Sequence, residues 1–278
     1  MEQPERRLLI AVDMERYSRR TNLQQYEAQR AFQQVLHEAA TAVGLDRISW
    51  RTQQAGDGEL AILPTDAREP RVIGRLVPEL DRLLRRYNAD RLPEARVRLR
   101  VALHQGMVHL DGANGFPGSA AVEVCRLCDA DQLKHALAAF PNAGVALIVS
   151  DGIYRDVVVE YPEELRPERF RRVEVRHPGK DFRQPAWICV IDEDLSTLPE
   201  WTDVTEPAPG TRPGRDPRRS SPGARGRSVP RDRSGWASGA GIRTGDVRVH
   251  GPNAIGHGAL AIGSVGDNAR IRGEGADR

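Results

Sequence analysis

The order in which the hydrophobic period changes along the N-terminal part of the chain constrains its fold most. Leu8-Leu9-Ile10-Ala11-Val12 is an unbroken β-type run, as expected of a central strand buried on both faces. Leu23, Tyr26, Phe32, Val35, Leu36, Ala39, Ala40 and Val43 then follow helical spacing, with Gly44 where a helix C-cap belongs. Residues 48–52 and 59–64 read as two strands joined by the tight-turn signal Ala55-Gly56-Asp57-Gly58. A second helix carries Leu80, Leu83, Leu84 and Tyr87; Pro78 can start it but cannot sit mid-way without a kink. Residues 97–104 and 107–110 read as a further strand pair broken at Gln105-Gly106. Helices over 119–139 and 151–159 and strands over 145–149, 170–176 and 186–191 complete the pattern.

The first six elements read β-α-β-β-α-β, so the expected fold is α/β (α+β) of the ferredoxin-like type. In that sheet the first and third strands are antiparallel neighbours. Asp13, ending the first strand, should therefore face Asp57, in the turn before the third. Two such carboxylates repel unless a cation lies between them, which suggests a Mg²⁺ or Mn²⁺ site for a nucleoside triphosphate. The alternative is that Asp13 caps the following helix and Asp57 only makes the turn.

Four segments, in order, resemble the class III adenylate and guanylate cyclase catalytic domains. Leu9-Ile10-Ala11-Val12-Asp13-Met14-Glu15-Arg16-Tyr17-Ser18 resembles their opening strand and phosphate loop, and Ala55-Gly56-Asp57-Gly58-Glu59-Leu60-Ala61 their metal-binding hairpin. Residues 98–108 resemble the strand written RIGIHTGPV, and residues 118–127 the helix written GDAVNLAARL. The chain is also similar to a divergent actinobacterial branch in which the domain is fused to other segments. The resemblance implies a cyclase-homology domain and a head-to-tail homodimer. It implies two metal ions on Asp13 and Asp57, a transition-state arginine at Arg126, and nucleotide contacts from Arg16, Tyr17, Ser18, Gln53, Gly56 and Lys180.

The departures from the family pattern bear on activity. The transition-state Asn falls on Val122, which has no hydrogen-bonding side chain, and loss of such a donor costs about a hundred- to a thousandfold in rate. The base-reading Lys falls on Gln53, its Asp partner on Gly115, and the phosphate-loop Gly on Arg16. The resemblance thus implies a dimerising, signalling domain that binds a divalent metal and a purine nucleoside triphosphate with weak or no turnover. Two alternatives stand beside it: an active atypical cyclase, a phosphorus-oxygen lyase using substitutes such as Gln53 or Glu123, and a non-catalytic scaffold with a vestigial site. Arg16, Arg19 and Arg20 read either as a phosphate patch or as a solvated helix start.

Charge divides the remainder of the chain. The formal net charge of the 278 residues is +2, yet residues 207–245 carry nine Arg against two Asp, and 19 of these 39 residues are Pro, Gly or Ser. Such a stretch buries too little apolar surface to offset chain entropy and is expected to be disordered. The expected domains are a cyclase-like unit over 1–195, a Pro/Gly/Arg-rich linker over 196–245, and a short Gly-rich β-repeat over 246–278. That last segment, with Asn253-Ala254-Ile255-Gly256 and Leu260-Ala261-Ile262-Gly263, suggests a protein partner. The linker lacks interleaved aromatics apart from Trp236, so a tether is expected rather than a nucleic-acid site. No apolar run approaches the roughly 18 to 20 residues of a membrane span, and the charged start lacks a signal-peptide core; a cytoplasmic protein is expected. Cys125, Cys128 and Cys189 make no disulfide framework and read as buried small side chains.

Overall fold

The computed structural model describes residues 3–198. Of the expected linker only residues 196–198 fall within them, and the expected repeat segment lies outside them. Seven strands form one mixed sheet in the order β2-β3-β1-β4-β5-β7-β6. Its first four strands, β1 (Glu5–Met14), β2 (Arg51–Ala55), β3 (Gly58–Ile62) and β4 (Leu99–Val108), pair with one another antiparallel. With α1 (Asn22–Ala42) after β1 and a helical segment between β3 and β4, the expected βαββαβ unit is present. β5 (Val145–Ser150) joins β4 in parallel, and the hairpin of β6 (Arg171–His177) and β7 (Phe182–Val190) closes the far edge.

β1 is central because its side chains are apolar on both faces. Leu8, Ile10 and Val12 enter a core with α1 and the helical segment after β3. Leu9 and Ala11 enter a second core beneath α4 (Ser119–Cys128) and α5 (Asp131–Ala139). α1 begins at Thr21, whose side chain and Gln24 form a capping box, so Asp13 does not cap it.

Several boundaries differ from expectation for physical reasons. β2 begins at Arg51, because Arg47–Ser49 forms a 3-10 turn capped by Asp46. Pro78 does not start its helix. α2 (Glu69–Arg71) runs through a π-helical stretch, Val72–Leu76, into α3 (Val77–Asn88). The Val77 amide reaches back to the Val72 carbonyl, and this wider turn lets a residue without an N–H follow in register. β4 does not break at Gln105-Gly106 but pairs with β1 along its whole length, from Met14 opposite Leu99 to Glu5 opposite Val108. Gly106 serves helix packing instead, since a Cβ there would stand 2.7 Å from the Ala120 Cβ. The helix expected over 119–139 is two helices separated at Asp129-Ala130. After β5, α6 (Asp151–Ile153) widens into a second π-helical stretch, Tyr154–Val158, and α7 (Pro162–Leu165) leads toward β6. Packing continues to Leu198, whose carbonyl, like that of Leu195, accepts a hydrogen bond from Arg171. No helix among the described residues is long and apolar enough to cross a membrane.

Candidate functional site

The β1–β3 register places Asp13 opposite Gly58, and the Met14 amide donates to the Asp57 carbonyl at 2.8 Å. The two aspartates are therefore neighbours across the sheet. Gly58 permits the approach: a Cβ at that position would lie 2.0 Å from the Val12 carbonyl oxygen. On the other side of β1, Asp13 is opposite Arg100, and the two side chains form an ion pair. Arg100 is largely buried, its Nε has no hydrogen-bond partner among the described residues, and burial lowers its pKa.

The first connection is bound to this corner. Gln29 Nε2 donates to Tyr17 Oη at 2.8 Å and to the Gly56 carbonyl at 2.7 Å, joining the loop after β1, α1 and the β2–β3 turn. Arg16 stands where the resemblance places a glycine and keeps a left-handed backbone, φ 57° and ψ 25°. Its side chain and that of Ser18 are exposed. Four expected positions, Asp13, Tyr17, Gly56 and Asp57, thus share one corner, with Arg16 and Ser18 on the same short loop.

Gln53 lies on the exposed edge strand β2 and reaches the loop after β4. A Cβ on Gly115 would stand 2.3 Å from Gln53 Oε1, so the carboxamide fills the space that a side chain at position 115 would take. The two expected base-reading positions are adjacent, although neither carries a charge.

Arg126 and Lys180 lie elsewhere. β5 is parallel to β4 and β7 antiparallel to β5, so the β6–β7 turn that holds Lys180 lies at the end of the sheet away from Asp13. The Arg126 guanidinium stacks 5.1 Å from the centre of the Phe182 ring, and its carbonyl faces His177 Nε2 at 2.9 Å. Among the described residues Arg126 forms no ion pair with Asp13 or Asp57. Val122, one turn earlier on α4, is 49% exposed. Cys125 is exposed on this helix, contrary to expectation. Cys128 is buried, with its thiol 3.6 Å from the carbonyls of Ala11 and Arg100, and burial pushes its pKa up to about 12.

Sequence reasoning missed Arg100. The available signal was register: a residue at the start of β4 must lie opposite the end of β1. Among the described residues no group of three or more His, Cys, Asp or Glu gathers as a metal centre. Mg²⁺ commonly takes one or two protein carboxylates and completes its shell with phosphate oxygens and water. Asp13 and Asp57 supply two carboxylates of that kind, and that of Asp13 is paired with Arg100.

No family model matches the sequence, and no curated protein matches it. Solved structures similar to it include an adenylate/guanylate cyclase/hydrolase from Silicibacter pomeroyi, 18% identical over 68% of this chain and 99% of that one, TM-score 0.48. The adenylyl cyclase CyaB from P. aeruginosa is 11% identical over 70% of this chain and 100% of that one, TM-score 0.44. The guanylate cyclase domain of RhGC from Catenaria anguillulae, in complex with GTP, is 12% identical over 68% of this chain and 98% of that one, TM-score 0.44.

Proposed function

We propose that the chain is a cyclase-like signalling domain that pairs head-to-tail with a second copy and binds a purine nucleoside triphosphate with a divalent ion, with weak or no turnover. The observation that carries this reading is the corner that joins Asp13, Asp57, Tyr17 and Gly56. Asp13 and Asp57 would hold Mg²⁺ or Mn²⁺. When bound, the ion supplies positive charge against the triphosphate and lowers the cost of bringing a ribose hydroxyl toward the α-phosphate.

The chain's own groups divide the remaining work. Arg16 and Ser18 project from the loop beside the aspartates and are free to meet phosphate oxygens. Gln53 offers both a donor and an acceptor to a purine edge, so it accommodates an amino or a keto substituent. Lys180 lies at the end of the sheet away from Asp13 and the Arg126 guanidinium turns to Phe182, which supports a site completed by α4 and the β6–β7 turn of a second copy. Phe182 holds the Arg126 guanidinium, and a guanidinium fork suits phosphate oxygens.

Two features oppose turnover. Val122 presents an isopropyl group where the resemblance calls for a donor, and the Asp13 carboxylate must leave Arg100 before it meets an ion. The second feature also favours the scaffold reading, in which Arg100 neutralises Asp13 permanently. Incubating the full chain with each nucleoside triphosphate and Mn²⁺, with mass-spectrometric detection of bound nucleotide and cyclic product, separates the readings. Binding that is lost in Asp57→Ala, with little cyclic product, is expected. Rapid Asp57-dependent product would make the chain an active atypical cyclase, and no binding would make it a scaffold.

A further inference from the structure

A cleft of 560 Å³ opens beside the corner, between the connection after β1, the turn before β4 and the end of α5. Five arginines line it, Arg16, Arg19, Arg20, Arg96 and Arg98, against two acids, Glu15 and Glu94. Arg98 is engaged through all three of its guanidinium nitrogens. It pairs with Glu15 at 3.1 Å and donates to the carbonyls of Ala143 and Phe140 at 2.9 Å, and to that of Leu137. Its engagement also occupies Glu15, whose carboxylate comes no nearer than 3.9 Å to Arg16.

Arg20 is a clasp. It donates to the carbonyls of Glu94 at 2.9 Å and Arg96 at 2.5 Å, which fixes the turn before β4 against the loop after β1. Its Nε is buried without an acceptor among the described residues. Three guanidiniums then keep donors in hand. Arg16 and Arg19 are exposed, and among the described residues Arg96 uses only its Nε, on the Arg91 carbonyl at 3.1 Å. Three forks on one concave wall, above two further guanidiniums that are already fixed, call for a ligand with several negative charges on adjacent centres. A single carboxylate would leave most of the wall uncompensated. Guanidinium forks match phosphate oxygens in pairs, and the volume falls within the range of small-molecule sites.

We propose that this cleft binds a linear di- or triphosphate group through Arg16, Arg19 and Arg96, on a wall held in place by Arg20 and Arg98, without a metal ion. The group is either the tail of a nucleotide or a free inorganic polyphosphate. The proposal shares Arg16 with the cyclase-like reading but rests on the cleft alone and needs neither Asp13, Asp57 nor a metal ion.

Calorimetric titration of the full chain with tripolyphosphate in EDTA tests it, with GTP and ATP titrated in parallel. The variants are the exposed Arg19→Glu and the double substitution Arg19→Ser with Arg96→Ser. Tripolyphosphate should bind the unaltered chain without metal, weaken as salt rises, and lose about ten- to a hundredfold in affinity in the variants. If the nucleotide tail is the ligand, GTP or ATP loses affinity in parallel and competes with tripolyphosphate. If free polyphosphate is the ligand, only tripolyphosphate responds. Absence of metal-free tripolyphosphate binding, or equal binding by folded variants with unchanged circular dichroism, would overturn the proposal. Failure of the cyclase-like reading looks different: nucleotide binding is then absent or indifferent to Asp57→Ala, whatever tripolyphosphate does.

Discussion

Val122 projects from the face of α4 that also carries Arg126, and nearly half of it meets solvent. An Asn there would add a donor without disturbing the buried positions Ala121 and Val124. Val122→Asn should therefore raise cyclic-nucleotide formation at least about tenfold, part of the hundred- to thousandfold that such donors contribute. An unchanged rate in a folded variant would mean that something other than the missing donor limits the chemistry. Arg100 governs the other half of the site. Arg100→Gln removes the competitor for Asp13, so Mn²⁺ affinity, read from the loss of the free-ion EPR signal, should rise. Equal affinity would show that the Asp13–Arg100 pair opens without cost.

His104 is a third informative residue. Its Nδ1 is buried without a partner among the described residues, its Nε2 lies 3.7 Å from Glu123, and burial lowers its pKa below the usual 6.5, opposed by the nearby carboxylate. The unfolded chain then binds the proton more readily than the folded one, so stability falls as pH drops below about 6.5 and levels off below the folded-state pKa. Denaturant midpoints of the natural chain and His104→Gln should diverge over that window, with a slope of at most about 1.4 kcal/mol per pH unit. Parallel curves would show that His104 is not depressed.

At the scale of elements, α3 is fastened to the start of β5 by one buried carboxylate. Asp81, 1% exposed, accepts from the amides of Gly144 at 2.7 Å and Val145 at 2.8 Å and from Arg85 Nε at 2.5 Å. Asp81→Ala leaves two amides and a guanidinium unpaired, and should cost about 3 kcal/mol, or roughly 6–12 °C in Tm. A loss below about 1 kcal/mol would show that water replaces the carboxylate. Asp81 sits on a helix face that reads in sequence as one more charged position, so nothing local marked it. The strands and helices themselves were legible wherever one period ran without interruption, as in β1, α1 and β5. Legibility failed where a tertiary partner overrode local chemistry. Gln105-Gly106 has turn residues but is held extended by ten-residue pairing with β1 and by Ala120 pressing on Gly106. Pro78 resembles a helix start, but a π-turn absorbs it.

At the scale of the whole molecule, the proposed function divides one site between two places among the described residues. Strand order made the Asp13–Asp57 approach legible, because it follows from topology alone. The Asp13–Arg100 pair was not legible, since it depends on a register that only the full-length β1–β4 pairing fixes. Under the proposed function, the placement of Lys180 at the other end of the sheet and of the Arg126 guanidinium on Phe182 predicts that one copy is incomplete by itself. Mixing two variants, Asp57→Ala and Arg126→Ala, examines this directly. Each alone should bind the Mn²⁺-nucleoside triphosphate poorly by calorimetry. In a two-fold head-to-tail dimer, equal mixing restores one intact site in each mixed dimer, so about a quarter of the natural sites should return. A mixture that binds no better than its separate components, while mixed dimers form, would contradict a site shared between two copies.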